Sequence, residues 1–195
     1  MPKTLETSRL LLEPWHERRV EEFVRLTADD IVMRYIGRGG AWSRDEALDR
    51  FRRMADHWRE HGFGWRSAVD KATSDWIGLI ALNRVGGGID GVDASEIEVG
   101  WWLHTTAWHR GLGTEGARAV CGEAFGTLGA RRVIARCRPD NARSVMVARR
   151  LGMITWGNAT GRYGEELRLY AVDRDAWPHP HAHPQPAAGG RDGGS

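Results

Sequence analysis

At 195 residues the chain has room for one domain with a sizeable core, and two would be cramped. Hydrophobic residues make up 41% and charged residues 28%, with a net charge of +2, which excludes a disordered chain and gives no support to nucleic-acid binding by charge alone. The first six residues lack the apolar core of a signal peptide and no run approaches the length of a membrane helix, so a cytoplasmic protein that binds no membrane is expected.

In chain order, residues 9–14 read as a strand with a leucine run, ended by Pro14. Residues 17–28 read as a helix carrying Val20, Phe23, Val24 and Thr27 on one side. Ser43 followed by Glu46 is a capping box, and it opens a second amphipathic helix running to about His61. Gly62 and Gly64 release a strand at 65–69, a polar turn follows, and the apolar run 76–82 reads as a central strand antiparallel to it. Residues 86–93 form a flexible glycine-rich loop, and 95–103 return as a strand. A helix then places Ala117, Val120, Cys121, Ala124, Phe125 and Leu128 on one face. A strand at 133–137, a helix at 141–151 closed by Gly152, and strands near Ile154 and at 166–172 complete a mixed sheet with helices on its faces. After Trp177 the composition turns to Pro, His and Gly, giving a domain at 1–177 and an expected disordered tail at 178–195.

The most informative stretch is Trp108-His109-Arg110-Gly111-Leu112-Gly113-Thr114-Glu115-Gly116. Gly111 and Gly113 allow positive φ and leave amides uncovered just where a helix begins. The first amides of a helix have no intrahelical partner and lie at the positive end of its dipole, which makes a site for phosphate oxygens. The spelling GxGxxG also admits a dinucleotide site and an NAD-dependent oxidoreductase. That fold, however, wants the first glycine at the end of a strand, whereas His104 to Arg110 intervene here.

Together with Glu98-Val99-Gly100-Trp101-Trp102-Leu103, with the segment Thr7 to Pro14, and with Asp140-Asn141-Ala142-Arg143-Ser144 followed by Leu151-Gly152-Met153, this stretch resembles the GNAT acetyltransferase superfamily. More narrowly it resembles the RimJ/RimL-like branch, named for enzymes that acetylate the amino termini of ribosomal proteins. The resemblance implies an α+β fold with a GNAT-like mixed, mostly antiparallel central sheet and helices on both faces. It implies acetyl-CoA as cosubstrate and no metal, with the pyrophosphate at His109, Arg110, Gly111, Leu112, Gly113 and Thr114 and the pantetheine arm along a splayed strand near Trp101, Trp102 and Leu103. Asn141, a good N-cap in its own right, matches an asparagine that also contacts the coenzyme.

Acetyl transfer to an amine needs a deprotonated amine, an oxyanion donor and a departing thiol. Strand periodicity puts Glu96, Glu98, Gly100 and Trp102 on one face. In the resembling branch Glu98 matches the proposed base, with Glu96 in reserve, and Ser144 matches the proposed donor to the thiol. The tyrosine acid common in the wider superfamily is replaced by Ala148, and Tyr170 is a distant substitute. A paired nucleophile and base is missing, so direct attack of the amine is expected. The rival is a non-catalytic acyl-CoA sensor that keeps the pocket without turnover. The acceptor, a protein amino terminus or a small-molecule amine, is not legible, because loops such as 85–94 shape its cleft. A homodimer is compatible with all of this. Cys121 and Cys137 lack metal-ligand spacing, and His57 and His61, though four apart, lack a third ligand, so they are expected as surface histidines.

Overall fold

The computed structural model describes residues 3–86 and 92–177. The glycine-rich loop falls largely outside these residues and the Pro/His tail wholly so. An eight-stranded sheet has the order β1 (Leu5–Glu6), β2 (Leu10–Pro14), β3 (Arg66–Asp70), β4 (Trp76–Arg84), β5 (Ile97–Leu103), β6 (Arg132–Cys137), β8 (Glu166–Asp173) and β7 (Ile154–Thr160). Every neighbouring pair is antiparallel except β5 and β6. A parallel pair needs a crossover, and α4 (Leu112–Gly126) supplies it. This is the mixed, mostly antiparallel sheet expected above, and one parallel pair is too few for a doubly wound dinucleotide fold.

Helices cover both faces because the central strand β4 alternates between two cores. Ile80 and Leu82 pack with α4, on the side that also buries Val120, Cys121 and Ala124. Leu79 and Ala81 pack on the other side with α1 (Val20–Thr27), α2 (Asp30–Met33) and α3 (Arg44–His61), through Phe23, Met33, Phe51 and Met54. The Ser43–Glu46 capping box is present in full, and Gly62 closes α3 at φ +74°. The helix expected over 17–28 starts as a short 3-10 turn at Glu17–Arg19 and buries Leu26 rather than Val24. Neither β1 nor α2 is anticipated by the sequence. The first is two residues long and exists by pairing with β2, and the second is one turn capped by the Asp29 side chain.

Two polar ties fix α4 against the sheet. Arg66, only 2% exposed, donates from Nη2 to Glu123 Oε1 at 2.5 Å and from Nη1 to the Lys3 carbonyl at 2.8 Å, so a buried cation is fully engaged. At the other end, Glu115 in the first turn of α4 accepts from Thr7 Oγ1 at 2.6 Å, Ser8 Oγ at 2.9 Å, and Arg9 N and Nε at 2.8 and 2.6 Å. Partial burial pushes this carboxyl up, but the hydrogen bonds outweigh it and hold it at about 2. The segment Thr7 to Arg9 is therefore a clamp on the helix that opens the site. Gly116 sets how close that helix comes, since a Cβ there would lie 2.8 Å from Ile80 Cγ1.

Candidate active site

β5 pairs with β4 over its whole length, from Ile97 opposite Arg84 to Leu103 opposite Gly78. With β6 it pairs only at Ile97 and Glu98, opposite Val133 and Ile134. Beyond Glu98 the two strands part, and the β6-facing backbone groups of Val99 to Trp102 have no strand partner. The wedge opens into a cleft of about 820 Å³, within the range that holds a large cofactor.

The mouth of the wedge meets the start of α4. Gly111 is the N-cap at φ +76°, with no side chain hydrogen-bonded as a cap to the helix end, and His109 also takes positive φ, +61°, which is uncommon without a glycine. Gly113 differs from expectation: it lies inside the first helical turn, and only Leu103 and Val147 stand near where its Cβ would be. The amides of the first turn have no intrahelical acceptor. Thr114 Oγ1, which lines the same cleft, is buried and without a hydrogen-bond partner. Free amides, an orphaned hydroxyl and a helix N-terminus together fit a phosphate-bearing ligand.

Of the residues expected in the site, Glu98, Trp101, Trp102, Leu103, His109, Gly111, Leu112, Gly113, Thr114, Asn141 and Ser144 all line this one cleft. Arg110 does not. Its guanidinium turns away to Asp70 Oδ2 at 2.7 Å and its carbonyl accepts from Arg9, so its side chain braces the loop. Glu96 also stays outside, near Arg132, and Tyr170 is a core residue at 2% exposure. Gly100 makes no bulge. It stays in register with Ala81, and its missing side chain leaves the floor open between Glu98 and Trp102.

Two pairings were invisible in the sequence. Glu98 is bound side-on by Arg136, Nε to Oε1 at 2.7 Å and Nη2 to Oε2 at 2.5 Å. Its carboxyl is therefore held in a fixed orientation by the guanidinium fork, and is not a free strand acid. Ser144, in the first turn of α5 (Ala142–Arg150), has its amide capped by Asn141 Oδ1 at 3.2 Å. Its hydroxyl accepts from the Cys137 thiol at 3.3 Å. Burial pushes that thiol up to about 11, so it stays a donor at neutral pH and leaves the serine proton free. The arginines from α4 to α5 divide: Arg136, Arg138, Arg143 and Arg150 line the cleft, whereas Arg118 and Arg132 are spent on the Arg150 carbonyl and Asp173. His57, expected as a surface histidine, is structural: Nδ1 faces the Phe63 carbonyl at 2.9 Å and Nε2 accepts from Arg84 N at 3.2 Å. Among the described residues no three His, Cys, Asp or Glu side chains come together to hold a metal ion, and no helix is long and apolar enough to cross a membrane.

Residues 9–154, more than half of the chain, match the model of the acetyltransferase (GNAT) domain. The chain belongs to the GNAT acetyltransferase family. Its fold agrees with known GNAT structures. The acetyltransferase of Agrobacterium tumefaciens superposes with a TM-score of 0.74 at 27% identity, over 87% of this chain and 94% of that one. Mycobacterium smegmatis RimJ, solved in complex with CoA-disulfide, gives 0.72 at 16% identity, over 91% and 90%. In sequence, the chain is 24% identical over 149 residues to YnaD of Bacillus subtilis, described as an uncharacterized N-acetyltransferase, covering 76% of this chain and 81% of that protein. Acetyl transfer is thus the family's chemistry, and the cleft built by β5, β6, α4 and α5 is the candidate site for it.

Proposed function

We propose that this GNAT domain, taken to span residues 1–177, transfers an acetyl group from acetyl-CoA to a primary amine by direct attack, and that it does so in the cytoplasm as a member of the RimJ/RimL-like branch. The observation that carries the proposal is the parting of β5 from β6 beyond Glu98, which ends at bare amides and the orphaned Thr114 hydroxyl. The pyrophosphate is assigned to the first turn of α4 from Gly111 to Thr114, with Asn141 beside it, and the pantetheine arm to the open edge of β5 at Trp101 to Leu103. The RimJ relative, solved with CoA-disulfide, lends support to a coenzyme in this fold.

In the reaction the amine nitrogen attacks the thioester carbonyl, the C–N bond forms and the C–S bond breaks. Glu98, fixed by Arg136, takes the amine proton through water, and Ser144 gives its proton to the departing sulfur. Modest groups suffice, because an α-amine has a pKa near 8 and a thiol near 8.5. One observation favours a second reading, the acyl-CoA sensor: both carboxylate oxygens of Glu98 are already engaged by Arg136. Thiol release from acetyl-CoA in the presence of peptides and small amines separates the two. Amine-dependent release is expected, with Glu98→Gln slowing it by about 10²-fold at neutral pH and by less as pH rises and the amine loses its proton unaided. Acetyl-CoA bound but never consumed would favour the sensor, and a Glu98→Gln enzyme equal to wild type at low pH would remove Glu98 from the proton path.

A further inference from the structure

The acceptor side of the cleft is walled by α3, and the helix divides cleanly. Ala47, Phe51, Met54 and Trp58 face the core, whereas Glu46, Asp49, Arg50 and Arg53, at spacings of three and four, face the cleft. Across from them lie Glu98 and Trp102 of β5 and the ring of Trp42, which meets Trp102 edge-on with centroids 5.6 Å apart. The charges of this chamber are mostly spoken for. Arg38 pairs with Glu46, Arg53 with Asp49, and Arg136 with Glu98. Arg138 lacks a carboxylate partner and keeps a buried, unbonded Nε, but its Nη2 donates to the Gly37 carbonyl at 3.0 Å, and Arg162 is exposed on the β7–β8 turn.

Arg50 is different. Among the described residues it has no carboxylate partner and no hydrogen bond, yet it is half-buried with its guanidinium 5.1 Å from the Trp65 ring centroid. Burial lowers its pKa and the nearby Glu98 carboxylate raises it, the first effect being larger. A guanidinium remains charged regardless. A half-buried cation with no carboxylate bonded to it pays part of its desolvation without a paired anion, and a ligand anion entering the cleft would supply that partner. The coenzyme phosphates are assigned to the start of α4, at the other end of the wedge, so the anion for Arg50 belongs to the acceptor.

We propose that the acceptor is an amino carboxylate, a free amino acid whose carboxylate is forked by Arg50 while its ammonium faces Glu98 and its side chain lies against the edge-on pair Trp42 and Trp102. This rests on the transferase reading above and narrows it. The planar fork of arginine matches a carboxylate in two hydrogen bonds. A zwitterion gives Arg50 an anion and sets its ammonium beside the carboxylate that Arg136 fixes, whereas a polyamine would set a second cation against Arg50, and a peptide amino terminus brings no α-carboxylate.

The test compares free amino acids with their C-terminal amides, which keep the amine and lose the charge. Two readouts are used, thiol release from acetyl-CoA and the thermal shift given by the N-acetylated acid or amide together with CoA. At least one amino acid is expected to exceed its amide by about 10-fold or more in kcat/KM and to shift the melt where the acetylated amide does not. Arg50→Gln should erase this preference by weakening the acid and sparing the amide, and Arg50→Lys should restore part of it. Amides or peptides that equal or exceed the acids, no carboxylate-dependent shift with any member, or an Arg50→Gln loss that is equal for acid and amide would overturn the proposal. Carboxylate-dependent binding without thiol release would instead retire the transferase reading and leave the Arg50 assignment standing.

Discussion

Glu115→Gln tests the clamp that holds the site's helix. The wild-type carboxylate gathers donors from Thr7, Ser8 and Arg9 on a strand entry more than a hundred residues away in sequence. Its fall from the ordinary 4.5 to about 2 corresponds to about 3 kcal/mol of stability at neutral pH. Because the Arg9 side chain is 49% exposed, solvent screening trims this to roughly 2 kcal/mol. For a domain of this size that is a melting temperature lower by about 4–8 °C. Glutamine keeps the shape but sets an amide donor against at least one of the existing donors, so a loss at this level is the expected outcome. The sign with pH follows from a depressed folded-state pKa. The contribution is complete above about 4.5 and disappears as pH falls toward about 2. Melts of both proteins from neutral pH downward should show a gap that narrows through that window. With the clamp loosened, acetyl-CoA affinity should fall as well, since the same turn presents the amides. A mutant that melts within a degree of wild type at neutral pH, or a gap indifferent to acid, would refute the reasoning.

Gly116→Val should destabilise the fold by about 1–3 kcal/mol in urea titrations, because its Cβ would fall 2.8 Å from Ile80 Cγ1 and 3.3 Å from Leu10 Cδ1 in a filled core; an unchanged midpoint would mean that α4 can back away from the sheet without cost. Gly113→Val, whose Cβ would meet Leu103 at 3.5 Å and Val147 at 4.0 Å, both ordinary contacts, should leave stability in urea within about 0.5 kcal/mol of wild type while removing most of the melting shift given by acetyl-CoA. A retained shift would count against placing the pyrophosphate on that turn.

Much of this architecture is written locally. The capping box at Ser43, the alternation along β5 and the three-four spacing of α4 each follow from a dihedral preference or a periodicity within one segment, and all appear in the structure. Four motif segments, far apart in the chain, also sufficed to nominate the cleft, and the nominated residues line it except Arg110 and the two reserves, Glu96 and Tyr170. What escaped is long-range and electrostatic. Nothing near Glu98 announces that Arg136, 38 residues on, will fork it, nor does Asp70 announce its hold on Arg110. The tie between Arg66 and Glu123 spans 57 residues and one sheet face. The polar stripe Glu46, Asp49, Arg50 and Arg53 was readable as the face opposite the apolar one. A solvated helix face and a cleft wall carry the same pattern, however, and only the strands opposite it tell them apart.

The parted strands and the uncapped start of α4 are proposed as the seat for acetyl-CoA. Calorimetric titration of the full chain with acetyl-CoA, and in parallel with NAD, measures this directly. One saturable site for acetyl-CoA and no heat from NAD is the predicted result; no saturation with acetyl-CoA, or equal binding of the two, would contradict it.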